Sequence, residues 1–190
     1  MVPLTARPLD FLYFLFFAIH IPASLLIDLQ YLYPSWLVPN FIRNLLMFYV
    51  KMSNDPLIGG LAGYFGNNSH LIWLKSYITL EAIFQFPVFI LGMLGLYKGS
   101  RSIYVLLLVY AASTATTALP CVMYLLQVPH ATPDSIGKGI VSLSFEQRLL
   151  LLSSYIPFFL IPLLMTVDMA MRVLKLVKKG TAAEEADKWK

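Results

Sequence analysis

Charged residues are scarce in this sequence. Asp, Glu, Lys and Arg make up 13% of its 190 residues, where a soluble domain carries about a quarter. A water-soluble globule of this size could not cover its surface with so few charges. Cysteine occurs once, at Cys121, which excludes a disulfide scaffold and a thiolate metal cluster. There is no low-complexity tract to make a disordered or fibrous chain. Nor is there a series of ~10-residue polar–apolar alternations to make a membrane barrel. Walker loops, nucleophile elbows and nucleic-acid-binding motifs are missing as well. No cofactor, no metal and no nucleic-acid partner is therefore expected. Apolar residues are what the chain has in abundance. They make up 58% of it, and with a mean hydropathy of +0.71 they mark an integral membrane protein.

A helix crosses the roughly 30 Å hydrocarbon core with about 20 mostly apolar residues. Four windows meet that length: 11–33, 71–97, 103–128 and 149–174. The first contains Asp28 and the second Lys75 and Glu81; the third has no charge, and the fourth none before Asp168. The predicted fold is an all-α integral membrane protein, a bundle of four transmembrane helices around an internal, lipid-accessible cavity. Each helix holds at least one kinking proline, at Pro22, Pro87, Pro120, Pro157 and Pro162. Residues 1–179 read as a single membrane domain and 180–190 as a polar, mobile tail. The first helix reads as retained, because His20 and Asp28 interrupt it and no small-x-small cleavage site follows.

Four spans put both termini on one side. Nine of the Lys and Arg residues fall on that side and five on the other, which places both termini in the cytosol. The 34–69 connection has a pattern of its own. In PNFIRNLLMFYVKM, Phe41, Leu45, Phe48 and Met52 recur at helical spacing, with Arg43, Asn44 and Lys51 off that stripe. It predicts an amphipathic helix at the bilayer surface or capping the bundle. Asn54-Asp55-Pro56 ends it, because the residue before proline avoids helix.

Ionisable groups inside a span are expensive and invite a functional reading. Asp28 lies in the last third of the first window, and Glu81 about ten residues into the second. Tyr77, Glu81 and Gln85 follow at spacings of four and share a helix face. Tyr110, Thr114, Thr117 and Cys121 form a comparable stripe on the third helix, and Ser153, Ser154 and Tyr155 precede Pro157 on the fourth. The Ser and Thr groups fit interhelical packing or a cavity lining equally, whereas Asp28 and Glu81 together favour a site. His20, with no second His or Cys at ligand spacing, reads as a packed histidine.

These residues resemble the EXPERA family. The resemblance is carried by HIPASLLIDLQ from His20, IRNLL from Ile42, NDPL from Asn54, WLKS from Trp73, EAIFQFP from Glu81 and TTALP from Thr116. It continues with Arg148-Leu149, SYIP from Ser154 and LIP from Leu160. Each segment is weak alone; their order and spacing are specific, and the sigma-2 receptor branch is the most similar. The resemblance implies a multi-pass protein of the endoplasmic reticulum membrane whose cavity binds sterols or oxysterols and cationic amphiphilic small molecules among membrane lipids. Carried over by position, Asp28 would face the ligand's ammonium, with Asp55 hydrogen-bonded behind it. Glu81 and Gln85 would line the polar end, and Tyr110, Thr117 and Tyr155 the walls. No residue is then catalytic.

An alternative implied by the same family is sterol Δ8–Δ7 isomerisation, with Glu81 as acid and Asp28 or Asp55 stabilising the cation. The isomerase branch carries a His where this chain has Tyr77, a poorer proton shuttle near neutrality, so binding ranks first. The fungal branch adds a link to the handling of mitochondrial precursors. Family members also suggest a homodimer, although Gly92 and Gly95 lack the spacing of a small-xxx-small face.

Overall fold

A computed structural model describes residues 2–188 of the chain; Met1, Trp189 and Lys190 lie outside it, and with them the end of the expected tail. Without water, a spanning segment must satisfy its own backbone, which only a helix does within a single segment. The described residues contain four helices long and apolar enough to cross a membrane: Pro8–Leu32, Ser69–Tyr97, Arg101–Gln127 and Phe145–Asp187. Only 17% to 39% of each apolar window is covered by the rest of the protein. Most of their surface is therefore apolar and outward, as lipid requires. Among the described residues there is no strand, only one bridge between His130 and Leu143.

The first span is not one continuous α-helix. Helix α1 is Pro8–Leu26, Ile27 leaves helical geometry (φ −125°, ψ −66°), and a 3₁₀ turn runs Asp28–Leu32. Side chains take the carbonyls this break would orphan. The Gln30 amide donates to Leu26 O at 2.5 Å and the Tyr33 hydroxyl to Leu25 O at 3.1 Å. Gln30 also donates to Ile42 O at 2.9 Å, tying the turn to α2, Asn40–Ser53.

Helix α2 buries Leu46, Val50 and Ser53. The predicted stripe is the opposite face: Phe41, Phe48 and Met52 are 74%, 63% and 48% exposed. The helix thus caps the bundle with one side and turns its aromatic side outward. Asn54, left-handed at φ 51°, ends it. The short α3, Ile58–Leu61, follows.

The second span is split. Helix α4 (Ile72–Leu80) leads into a π-helical turn at Glu81–Gln85, then α5 (Phe86–Tyr97). Pro87 has no N–H for the Ile83 carbonyl, and the wide turn before it accommodates that gap. The third span is α6, Tyr104–Gln127; a short α7, Pro133–Gly137, lies in the following loop. The fourth is α8, Phe145–Asp187, opened by a reciprocal capping box between Ser144 and Gln147. Two arginines close helix C-termini, where carbonyls lack donors. Arg148 donates to Leu125 O, Leu126 O and Val128 O at the end of α6. Arg7 donates to Leu96 O and Tyr97 O at the end of α5.

At 43 residues α8 is about 64 Å long, beyond the 40–45 Å of a whole bilayer. The expected loose tail is helical through Asp187, because Ala182, Ala183, Glu184, Glu185 and Ala186 are strong helix formers that outweigh Gly180.

Helix α6 packs along α8 and α1 against α5. Two apolar cores result. One joins Tyr13, Phe17, Phe89, Tyr110 and Met165 towards the end holding both termini. The other joins Leu57, Leu71, Ile78, Leu125 and Leu151 towards the loops. A β-carbon at Gly92 would lie 2.8 Å from Phe17 Cε2 and 3.0 Å from Leu107 Cδ2, and one at Gly95 2.7 Å from Ile103. Both glycines therefore serve packing within the chain. Gly92→Val is expected to overpack α1 against α5 and cost about 1–3 kcal/mol, read as a lower thermal midpoint of the purified protein; an unchanged midpoint refutes this contact.

Candidate functional site

A buried polar layer lies between the two cores. Helix α1 contributes His20 and Ser24 at a spacing of four, and Asp28 follows at the helix break. The π turn contributes Glu81 and Gln85, both buried. The turn leaves both side chains on its inward face, as their spacing of four also would in an α-helix. The Ser24 hydroxyl, fully buried, donates to Glu81 Oε1. His20 Nε2 stands 4.0 Å from the same oxygen, too far for a hydrogen bond. The imidazole stacks on Phe89 (centroids 4.5 Å, 24°) and meets the edges of Phe158 and Phe16 at 4.5 and 5.2 Å.

His20, Asp28 and Glu81 bring ligand atoms within 4.8 Å of one another. Two carboxylates and an imidazole at that separation gather several acceptor atoms in one poorly solvated place. Glu81 is 9% exposed and already accepts from Ser24, whereas Asp28 is half-buried and no side chain among the described residues donates to it. Asp28 is thus the less enclosed and less hydrogen-bonded of the two carboxylates.

Asp55 is a different kind of carboxylate. It is fully buried and accepts four hydrogen bonds. Oδ1 takes the backbone N–H of Leu57 (2.8 Å) and Ile58 (3.2 Å), capping α3. Oδ2 takes the hydroxyls of Tyr49 (2.6 Å) and Tyr155 (2.9 Å). Burial pushes the Asp55 carboxyl above its usual range, while the tyrosines and the two amides pull it back. Burial, and then the adjacent Asp55, push the Tyr49 phenol up. Asp55 ties α2, α3 and α8 together and has no oxygen left for a ligand.

The residues singled out in the sequence separate into three groups. Asp28 and Glu81 meet, with Gln85 beside them on the π turn. Asp55 and Tyr155 meet each other, in a second group. Tyr110 belongs to the core, packed on Phe17 and Phe89 at 5.3 and 5.6 Å, with Thr114 buried one turn on. Thr117 turns its hydroxyl back to Ser113 O and Thr114 O, both at 3.2 Å, and Ser153 and Ser154 bond to Leu150 O. Tyr77 lies edge-on to Trp73. The partner of Asp28 within the layer is Glu81, and Asp55 belongs to the tyrosines.

His20, which the sequence reading took for a packed histidine, and Ser24 and Tyr49, which it did not single out, are neighbours of these carboxylates. For the first two a signal existed: His20, Ser24 and Asp28 recur at intervals of four. Two hollows among the described residues are lined by other side chains. One of about 50 Å³ lies by Gly60 and Tyr124, and one of about 460 Å³ at the end where α1 begins.

Comparison with known proteins gives the same arrangement a lineage. Residues 41–169 match EXPERA (EXPanded EBP superfamily). Sigma intracellular receptor 2 of Homo sapiens is 33% identical over 168 residues, covering 88% of this chain and 90% of the receptor. Efficient mitochondria targeting-associated protein 19 of Schizosaccharomyces pombe is 28% identical over 178 residues, 92% of this chain and 81% of that protein. Its namesake in Saccharomyces cerevisiae is 23% identical over 158 residues, covering 80% and 91%. The family match spans Asp55, Glu81 and Tyr155, and the pairwise likenesses run through most of the remaining chain. This four-span membrane protein, with its polar layer between two apolar cores, belongs to the EXPERA family.

Proposed function

We propose that the chain is an intramembrane binding protein for sterols and cationic amphiphiles, with Asp28 and Glu81 as the seat of the ligand's ammonium. One observation carries this reading: Asp28 is a partly buried carboxylate with no side-chain donor among the described residues, beside a buried, already hydrogen-bonded Glu81 and a His20 packed among aromatic rings. In a low-dielectric layer such an acceptor favours a cation, and the flanking apolar cores suit a hydrocarbon body at about 25 cal/mol per Å². The ligand pocket would be open to lipid between the spans. The protein would sit in the endoplasmic reticulum membrane with both termini cytosolic. Its role would be in sterol handling or in the care of mitochondrial precursors, as a monomer or a homodimer. The names of its relatives, an intracellular receptor and a mitochondria targeting-associated protein, support that range.

The test compares a protonated sterol-like amine with its neutral isostere at equilibrium on purified protein. The amine is expected to bind at least tenfold more tightly, about 1.4 kcal/mol. Equal affinities would show that no carboxylate reads the ligand.

His20 favours a second reading. It supplies, 4.0 Å from Glu81, the imidazole that Tyr77 does not, so Glu81 could act as acid in a Δ8–Δ7 sterol isomerisation with Asp28 facing the carbocation. Incubation with a Δ8-sterol decides it: a Δ7 product that Glu81→Gln abolishes supports the enzyme, and sterol bound but unconverted excludes it.

A further inference from the structure

The larger hollow, about 460 Å³, lies at the end of the bundle that carries both termini, far from the Asp28 layer. Arg7, Asp10, Lys98, Gly99, Arg101 and Arg172 are among its lining residues. Its volume is that of a small-ligand site. The floor is rigid. Asp10, 4% exposed, holds Arg7 at 2.5 Å through Oδ2 and Arg172 at 2.6 Å through Oδ1. Arg172 also grips Asp168 at 2.7 and 3.1 Å and lies 5.3 Å over the Tyr104 ring. Arg7 is fixed from above as well, by its bonds to the last carbonyls of α5.

The rim is the turn from Lys98 to Arg101. Gly99 makes it at φ +61°, a left-handed conformation that glycine adopts without penalty, and a β-carbon there would sit 3.4 Å from Arg7 Nη1. The turn therefore lies directly on the guanidinium. Lys98 and Arg101 are exposed, and among the described residues no ion pair or hydrogen bond holds their side chains. Four cations face Asp10 within the hollow and Asp168 beneath it, which leaves two positive charges without a counter-ion. Lys175, Lys178 and Lys179, all exposed on the next turns of α8, extend the positive field.

We propose that this hollow binds a phosphomonoester, presented by a phosphorylated lipid headgroup in the leaflet on the side of the termini. A phosphomonoester carries about −1.5 to −2 charges, which matches the surplus, and its oxygens suit the donors of Arg and Lys. Arg172 lies about 40 Å along α8 from its start, at headgroup level for a helix entering the bilayer at Phe145. A free phosphorylated metabolite shares the chemistry but not the tether.

The experiment titrates the full-length purified chain with dioctanoyl phosphatidylinositol 4-phosphate, dioctanoyl phosphatidylcholine and free inositol 1,4-bisphosphate. The phosphorylated lipid is expected to bind about 30-fold more tightly than phosphatidylcholine. The double variant Lys98→Gln/Arg101→Gln should lose about that factor, as two interfacial charges would give, while amine binding at Asp28 stays unchanged. If the free headgroup binds as tightly as the lipid, the phosphomonoester site stands and the lipid source is overturned. If the phosphorylated lipid shows no preference over phosphatidylcholine, or the double variant keeps it, the site itself is overturned. Should the variant not fold, the wild-type preference and its collapse in about 0.5 M salt decide the matter.

Discussion

Asp28→Asn is expected to weaken binding of a protonated sterol-like amine by about 2–3 kcal/mol, roughly 30- to 150-fold. The substitution keeps size and shape and removes one charge. At 4 Å, a pair in an effective dielectric near 20 gains about 4 kcal/mol before desolvation, so most of that gain should be lost. Thermal stability should change little, because no side chain among the described residues donates to Asp28. Asp134→Asn is the control. Asp134 is exposed and paired with Lys138 at 2.8 Å in a surface loop, where an ion pair contributes at most about 1 kcal/mol. An amine that binds Asp28→Asn as well as wild type would mean that its ammonium lies elsewhere and that Asp28 is structural.

Asp55→Ala is expected to destabilise the protein by about 3–5 kcal/mol while Asp55→Asn keeps most of the fold. Alanine strands four donors in a buried place: the hydroxyls of Tyr49 and Tyr155 and the N–H groups of Leu57 and Ile58. Leaving such groups unpaired costs roughly 1–3 kcal/mol each, partly relieved by relaxation. Asparagine can still cap α3 through its carbonyl and meet the tyrosines with its amide. The midpoint of heat unfolding in detergent measures both.

The pair also carries a pH signature. Burial raises the Asp55 carboxyl, so the folded protein holds that proton more tightly than the unfolded chain does. Its contribution is complete below the unfolded value near 4 and is lost as pH rises through the folded one. Wild type should therefore lose stability across that window relative to Asp55→Asn. Parallel pH profiles would contradict the assignment.

Much of this was legible in the residues. The four spans, Asp28 and Glu81 as the unusual polar groups, and a helix at 40–53 all follow from period and composition. The orientation of that helix did not. Phe41, Phe48 and Met52 form the stronger apolar stripe, yet the bundle takes Leu46 and Val50, because lipid competes with the protein for an apolar face and water does not. Thr117 is expected on the cavity wall by resemblance; its hydroxyl bonds to carbonyls of its own helix. The helical end of α8 was hidden by its polarity, since helix propensity and membrane residence are separate properties.

Membrane residence and the number of spans were determined by the sequence alone. Each span answers to the bilayer by itself, with backbone hydrogen bonds closed within four or five residues. Which polar groups face one another was decided only in three dimensions. Ser24 and Glu81 are 57 residues apart, Asp55 and Tyr155 100. The first meeting rests on a π turn that leaves Glu81 buried, and the second on α2 and α8 packing around Asp55. The break after Leu26 is compensated by Gln30 and Tyr33, whose side chains take up the carbonyls of Leu26 and Leu25, and the further bond from Gln30 to Ile42 O exists only once α2 has packed.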